Sequence, residues 1–517
     1  MSNHKGVDAQ TADLLDAFME LSRRQPDRPA LASPDGVLDY GQLAVKARHL
    51  TECLGSAPGI VAVAAEHRPQ TVIALLGVLA AGGGYCPVDP AHPRSRREAM
   101  VRTAGCRLLL GGGADLAAEL GLEYREIESD AVAGPQDRQS AADDRAAAAD
   151  SETPAYLLFT SGSTGRPKPV VTPRRAISAS VGSLRDLFGL TPEDRVLQFA
   201  SLNWDTCFEE ILPALTAGAA VVFDPDAHAG SFPRFLRMIR RTRITVLDLP
   251  TAFWHELVLH LVESGEKLPD SLRLLVIGGE AAAPARLADW SRLDTAGIRL
   301  LNTYGCTETT LVTHAVDLCG PLAARPGAAW DAAVPAPIGR PLPHVRQRIG
   351  AEGELLVGGP GLATGYLGLP EATAARFTEV DGEFCFRTGD RVERGADGLL
   401  THRGRLDGEL KVRGVRVDPA EIEAQIATHP EVGAVAVAGA LVAGRTTLLA
   451  YVVPAARART TGLDTEVRSF LRGRVPEQLL PSRVTVVPRL VLTPSGKVDR
   501  AASHRRYAPP DQVKGDL

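Results

Sequence analysis

The stretch Tyr156–Val171, YLLFTSGSTGRPKPVV, decides how the rest of the chain is read. The apolar run Tyr156–Thr160 has the length and residue types of a buried strand. It breaks into Thr160-Ser161-Gly162-Ser163-Thr164-Gly165 and reaches a cation at Lys168. Glycines let successive backbone N–H groups turn toward an anion, hydroxyls add donors, and a lysine adds charge. That combination suits a phosphate. It is not a Walker A loop, because Lys168 stands between Pro167 and Pro169, where that motif requires Gly before and Ser or Thr after. Taken alone, a flexible Ser/Gly loop is the bland alternative.

Outward from this segment the pattern is regular. Short apolar runs fall at Val196–Ala200, Ala219–Phe223, Ile244–Leu249, Leu272–Ile277 and Ile298–Asn302. Pro233–Arg243 and Thr251–Gly265 lie between them, with apolar residues at the three- and four-residue spacing of a helix face. Strands alternating with helices predict an α/β fold with parallel sheets covered by helices. Upstream, Gln42–Leu54 reads as an amphipathic helix, and residues 130–152, polar and Ala/Asp-rich, as a surface loop. After about Gly350, Gly-rich turns and short alternating runs predict a β-rich subdomain. From Gly408 a small α+β unit follows. Asp418-Pro419 starts a helix, with an N-cap acid and Pro at the first helical position. Ile422 and Ile426 share a face of it. Strands are expected at Ala434–Ala438, Thr447–Val453 and Val484–Val487, with a helix carrying Val467, Phe470 and Leu471 before the last.

Composition narrows the class. A chain of 517 residues suggests roughly two to four compact units. Hydrophobic residues at 44% and charged residues at 23% are ordinary for a globular protein. A net charge of −5 leaves no nucleic-acid footprint. Seven scattered cysteines without a C-x-x-C argue against a disulfide framework or a Cys-rich zinc site. His255-Glu256 and His260 miss the H-E-x-x-H spacing by one residue. The longest apolar stretch, near Val72–Ala81, is too short to span a bilayer, and the polar N-terminus has no signal-peptide core, so a cytoplasmic location is expected. Only seven of the 57 basic residues are lysines, so each lysine invites a reason.

The Tyr156–Val171 segment resembles the phosphate loop of the adenylate-forming superfamily, which includes acyl-CoA synthetases, luciferases and the adenylation domains of nonribosomal peptide synthetases. The likeness recurs in order along nearly the whole chain. Leu38–Leu43 resembles the L-x-Y-x-x-L signature, and Ala81–Pro90 the AGGAYVPLDP box of the peptide-synthetase branch. Asn302–Glu308 resembles N-x-Y-G-P-T-E, with Cys306 in place of proline. Gly353–Leu367 and Phe386–Asp390 match the next two motifs. Gly404–Asp407, followed by Lys411–Gly414, matches the hinge box. Ser495–Arg500 matches the terminal N-G-K-V-D-R, with Ser495 in place of asparagine.

The resemblance implies a reaction in which a carboxylate attacks the α-phosphate of ATP in line and releases pyrophosphate, a step that needs positioning and charge neutralisation. It implies that Thr160, Ser161, Ser163, Thr164 and Lys168 hold the outer phosphates. Glu308, beside Thr307, would hold Mg²⁺, a hard cation suited to carboxylate and phosphate oxygens. Tyr304 would stack on adenine, Asp390 would accept from the ribose hydroxyls, and Arg405 would lie near the same sugar. Lys497 would bridge the substrate carboxylate and the α-phosphate. The expected domains are an adenylation core, residues 1–406, and a lid, residues 408–517, hinged at Asp407.

The acid being activated is read from Phe199–Leu212, FASLNWDTCFEEIL. Asp205 falls where amino-acid-activating members place the carboxylate for the substrate amino group; its bland alternative is a helix N-cap. Matched to the family's specificity positions, the pocket is Asp205, Thr206, Glu209, Asp248, Val276, Gly278, Thr303, Leu311, Val312 and Lys497. Glu209 lies about one helical turn beyond Asp205. Asp248 interrupts an apolar strand, ITVLDLP, where an unpaired carboxylate is costly. Its bland alternative is an ion pair with Arg241 or Arg243. Two carboxylates in a side-chain pocket call for a cationic substrate, and Gly278 is expected to leave room for a long one. The string resembles codes for lysine and β-lysine, with a slight lean to β-lysine.

No condensation motif and no phosphopantetheine site occur, and only 17 residues follow Arg500. The expectation is a free-standing enzyme that passes its aminoacyl group to a carrier protein in trans, with a small accessory protein as a further candidate partner. Two rivals stand beside it: a CoA ligase for an amino or aryl acid, and a catalytically silent binding protein of the same fold.

Overall fold

The computed structural model describes residues 13–127, 150–161, 167–324, 330–331, 334–407, 409–412, 415–442, 445–455, 458, 461–492 and 498–508. Two large sheets dominate. The seven-stranded sheet runs in the order Gly365–Tyr366, Lys168–Pro173, Pro154–Thr160, Gly84–Val88, Ile60–Ala64, Leu108–Leu110 and Glu123–Arg125. Its first three strands pair antiparallel and the rest parallel. The nine-stranded sheet has a parallel interior of Arg299–Gly305, Leu274–Gly278, Val246–Pro250, Arg195–Leu197, Ala220–Val222 and Pro29–Ser33. Antiparallel strands close both edges, Gly36–Asp39 on one side and Val312–Cys319 with Arg340–Pro341 on the other.

The expected strands and helices are present with shifts of a few residues at their ends. The antiparallel edges are the departure from a purely parallel reading; Gly36–Asp39 and Val312–Cys319 each follow their partner strand after a connection too short for a crossover helix. The expected loop at 130–152 falls mostly outside the described residues. The helix Tyr40–Leu54 opens on a capping box: Asp39 accepts the Gln42 N–H at 2.7 Å, and the Gln42 side chain accepts the Asp39 N–H at 3.0 Å.

The main core lies between the two sheets. One apolar cluster takes Val61, Val63, Tyr85 and Tyr156 from the first sheet and Leu31, Val196, Val221, Val246 and Leu274 from the second. The helix Thr206–Ala217 is sandwiched there, with Cys207, Phe208, Ile211 and Leu212 buried. Phe208 sits 4.6 Å from Tyr156, centroid to centroid, so the helix is packed directly on the phosphate-loop strand. Its first turn opens on the cleft where the two sheets present their strand ends, the usual place for a site in open α/β sheets.

Residues 346–405 form the expected β-rich layer, an antiparallel sheet of Arg346–Ile349, Glu354–Gly358, Glu383–Arg394 and Phe377–Val380, with Leu400–Arg405 paired to the long strand. From residue 409 a second core begins. The hairpin Leu410–Val412/Val415–Val417 precedes the helix Pro419–Ala427, whose N-cap Asp418 accepts from Ala420 N–H as the sequence indicates. A three-stranded sheet, Val432–Val442, Arg445–Pro454 and Arg483–Val486, packs with the helix Leu463–Arg472 around Val437, Ala450, Val467 and Leu471. Phe470, expected on that core face, lies outside it. Its ring meets His429 edge-on at 4.9 Å and carries Arg474 3.9 Å from its centroid. No helix among the described residues is long and apolar enough to cross a membrane.

Candidate active site

The phosphate-loop strand and its neighbour place Thr160 opposite Lys168 in antiparallel register, so the loop leaves and returns at one point. The Thr160 Oγ1 is buried without a hydrogen-bond partner among the described residues. A buried donor of that kind costs about 1–3 kcal/mol until something accepts from it, and a phosphate oxygen is a fitting acceptor. The Lys168 ammonium lies 5.7 Å from the Tyr366 ring centroid. Ser163, Thr164 and Lys497 lie outside the described residues.

The Asn302–Glu308 segment shapes the centre. Thr310 and Leu311 both adopt left-handed backbone, at φ 57° and 66°, each at a cost of roughly 1–2 kcal/mol. The turn folds back on Gly305, where a Cβ would lie 1.8 Å from the Leu311 carbonyl oxygen. The glycine is therefore a steric requirement of this turn. Gly305→Ala is expected to lower stability by at least the roughly 1–3 kcal/mol of overpacking, because backbone and not a flexible side chain stands in the way; a thermal melt equal to wild type would contradict this.

Tyr304 and Asp390 form one unit. The Tyr304 hydroxyl donates to Asp390 Oδ2 at 2.6 Å, and Arg405 Nη1 donates to Oδ1 at 2.8 Å. His402 Nε2 lies 3.0 Å from the same oxygen. Burial works against the Asp390 charge, but the His402 hydrogen bond and the Lys411 and Arg405 charges hold its carboxyl well below the usual range. Asp390 thus stays ionised, with acceptor capacity for ribose hydroxyls. The Lys411 ammonium sits 5.1 Å from the Tyr304 ring centroid, a cation–π contact on the ring expected to meet adenine.

Glu308 is 1% exposed. It accepts from the Tyr366 hydroxyl at 2.8 Å and pairs with Arg416 at 3.2 Å. Ser161 Oγ donates to the Arg416 carbonyl at 3.0 Å and accepts from Asp418 N–H at 3.2 Å. The hairpin at residues 410–417 therefore touches the phosphate loop and the candidate metal carboxylate together. As a donor set, one buried carboxylate plus phosphate oxygens fits Mg²⁺, which is usually held by one or two carboxylates with the rest of its shell from substrate and water. Among the described residues no group of three or more His, Cys, Asp or Glu could hold a metal ion without substrate. Asp407 is clamped by Arg405 Nη2 and Arg376 Nη2, each at 2.7 Å. Arg405 also donates to Glu409 at 2.7 Å, which in turn pairs with Arg416.

A cavity of about 280 Å³ opens from this centre, with Thr160, Thr307 and Glu308 on its wall together with Asp205, Thr206, Glu209, Asp248, Gly278, Thr303, Leu311 and Val312. Asp205 precedes the helix Thr206–Ala217 but makes no side-chain cap bond, so the N-cap alternative is not realised. Burial pushes its carboxyl up to about 6, and Glu308 adds to this against a Thr307 hydrogen bond. Arg241 goes instead to Asp224, at 2.7 Å, and no ion pair joins Asp248 to either arginine among the described residues. Burial pushes Asp248 up to about 7, and burial with the Asp248, Asp205 and Glu210 charges pushes Glu209 well above the carboxylate range.

Two pocket expectations are corrected. Val276 is fully buried and packs in the core as the strand partner of Asp248, without lining the cavity. Gly278 does line it, but for a different reason than room for substrate. A Cβ there would lie 2.5 Å from Thr303 Oγ1, which itself donates to the Ile277 carbonyl at 3.0 Å. Thr303 fills the space.

Five further residues belong to the site: Lys411, Arg416, Gln478, His402 and Glu210. Lys411, Arg416 and Gln478 reach the cavity from the second core. For Lys411 the signal was available in the scarcity of lysine; for the other two there was none. His402 had no signal either. Glu210, next to Glu209, accepts the N–H groups of Phe199 and Ala200 at 3.0 and 2.9 Å and the Gln198 amide at 3.1 Å. It anchors the segment that carries Asp205.

A family model described as AMP-binding enzyme matches residues 18–367, and one described as AMP-binding enzyme C-terminal domain matches residues 421–497. The chain is 40% identical over 479 residues to an isonitrile lipopeptide synthase of Streptomyces coeruleorubidus, covering 90% of this chain but only 31% of that one. It is 34% identical over 539 residues to novobiocin biosynthesis protein H of Streptomyces niveus, covering 98% of this chain and 84% of the relative. Among solved structures, NpsA-ThdA, an artificially fused adenylation–PCP di-domain from Klebsiella oxytoca, matches with a TM-score of 0.75 and 25% identity, over 92% of this chain and 93% of that one. With one model falling on each of the two cores, the chain belongs to the AMP-binding enzymes, the adenylate-forming ligases, and within them to the relatives of nonribosomal peptide synthetase adenylation domains.

Proposed function

We propose that the protein activates a basic amino acid, lysine or β-lysine, as its aminoacyl-AMP and then transfers it to the phosphopantetheine thiol of a carrier protein. The observation that carries the substrate reading is that, of the four carboxylates lining the cavity, Glu308 is paired with Arg416, while Glu209 and Asp248, beside Asp205, have no cation paired to them among the described residues. Asp205 meets the amino group nearer the reacting carboxylate, and Glu209 with Asp248 meets the distal ammonium. Buried carboxylates of one sign are costly unless a cation joins them.

In the first half-reaction a substrate carboxylate oxygen bonds to the α-phosphorus, and the bond from that phosphorus to pyrophosphate breaks. Thr160, Ser161, Ser163, Thr164 and Lys168 hold the outer phosphates, Tyr304 the base, and Asp390 with Arg405 the ribose. Glu308 is the residue that would hold Mg²⁺, which when bound neutralises phosphate charge. Lys497 bridges the carboxylate and the α-phosphate. In the second, the carrier thiolate displaces AMP. Offering the enzyme CoA and a holo carrier protein side by side tests the acceptor: thioester is expected on the carrier, and thioester only on CoA would overturn that part.

Asp407 is proposed as the hinge about which residues 408–517 turn between the two half-reactions. Asp407→Pro fixes φ near −65° and removes the carboxylate that clamps Arg405 and Arg376. Transfer to the carrier is expected to fall further than adenylation; equal losses in both would count against the assignment.

A further inference from the structure

We propose that Glu209 and Asp248 hold a proton between them in the empty cavity, and that the distal ammonium of the substrate displaces it on binding. The proposal rests on the reading of the cavity as a site for a basic amino acid. Glu209 is 7% exposed and Asp248 5%, and both line the cavity from different elements, one from the helix Thr206–Ala217 and the other from the strand Val246–Pro250. Two carboxyl groups buried in one cavity, with no cation paired to either among the described residues, are relieved by sharing a single proton in place of carrying two charges. The Asp248 Oδ2 is buried with no hydrogen-bond partner among the described residues. It is an acceptor waiting for a donor.

The surroundings favour the shared proton. Asp205 and Glu210, at and beyond the helix start, add like charge, and the Cys207 thiol is held neutral by burial. The facing strands and turn bring Pro250, Gly278, Thr303 and Leu311 without charge, the Cys306 thiol, held neutral by burial, and Glu308, whose carboxylate is paired with Arg416. The cations on the cavity wall come from the hairpin and are engaged elsewhere: Arg416 with Glu308 and Glu409, Lys411 over Tyr304. Burial and mutual repulsion keep the pair from losing its last proton near neutral pH. A unit positive charge about 4 Å away moves a carboxyl pKa by roughly three units at an effective dielectric constant of about 20. The exchange balances without a co-reactant: the ammonium enters with its charge, a proton leaves to solvent, and no covalent bond changes. Because the substrate ammonium stays protonated to about pH 10, affinity for it rises with pH while the pair loses its proton. A neutral isostere such as norleucine displaces nothing, so discrimination widens from pH 6 to pH 8.

Titration calorimetry of the full chain with lysine and β-lysine at pH 6.5, in buffers of different ionisation enthalpy, reads the proton directly. The apparent enthalpy is expected to track the buffer enthalpy with a slope of roughly half to one proton released per substrate. In pyrophosphate exchange, KM for the basic substrate is expected to fall about 5- to 10-fold from pH 6 to pH 8, the scale set by one displaced proton. Glu209→Gln puts an amide N–H where the shared proton was, and that hydrogen cannot leave; its slope is expected near zero, with a KM deficit larger at pH 8 than at pH 6. Binding of a basic substrate with zero slope in the wild type overturns the proposal and leaves the substrate reading standing, and a slope unchanged in Glu209→Gln overturns the assignment to this pair. A wild type that prefers norleucine to both basic substrates overturns the substrate reading instead.

Discussion

Lys497→Ala is expected to lower amino-acid-dependent adenylation on the order of 100-fold or more, the scale of losing one preorganised donor aimed at developing charge. The in-line attack joins two anions, the substrate carboxylate and the α-phosphate, and their repulsion peaks as the new bond forms. Around the outer phosphates the chain offers Lys168, Thr160 and Ser161, but none of these is assigned to the carboxylate. The cations that the structure does bring to the cleft from the second core, Lys411 and Arg416, are held by Tyr304 and Glu308. With that hairpin presented, transfer from preformed aminoacyl-adenylate needs no bridging lysine. The Lys497→Ala enzyme should therefore keep most of its transfer rate. If transfer collapsed as far as adenylation, Lys497 would be holding the fold.

The second large effect is expected from Glu209→Gln with Asp248→Asn. Both changes are nearly isosteric, so packing is kept while the acidic pair is lost. The substrate ammonium would then be buried without an anionic partner, a loss of about 3–5 kcal/mol. That corresponds to roughly 10²- to 10³-fold or more in kcat/KM for the basic substrate. Neutral amino acids of similar length should gain relative to it, since the acidic cavity no longer rejects them. Unchanged kcat/KM for lysine and β-lysine in a folded double variant would remove the acids from substrate recognition.

What could be read in advance was what the local pattern carries. The strand into Thr160-Ser161, the cap at Asp418 and the helix face of Ile422 and Ile426 each rest on residues a few positions apart, and each is present. Asp205, Glu209 and Asp248 were legible because a motif fixes their place and because a carboxylate inside an apolar run asks for a reason. What escaped depends on distant chain segments meeting. The pairing of Pro29–Ser33 with Ala220–Val222 joins strands about 190 residues apart, beyond any window of periodicity. Arg416 reaches Glu308 only because the second core docks on the cleft, with Arg96 pairing to Glu421 at 2.9 Å and Trp204 packed against the small core. The partner of Arg241 could not be chosen from sequence distance, since Asp224 and Asp248 were both within reach. At Gly278 a missing side chain says nothing about what fills the gap, and Thr303 fills it.

If Asp205, Glu209 and Asp248 recognise the substrate, the cavity selects a basic amino acid for adenylation. Exchange of labelled pyrophosphate into ATP, run with the purified enzyme across basic, neutral and acidic amino acids, tests it most directly. Lysine and β-lysine are expected to give the highest kcat/KM, with neutral amino acids of the same length at least about 10-fold lower, the scale of one charge-assisted hydrogen bond. Highest exchange with a neutral or acidic amino acid would contradict it.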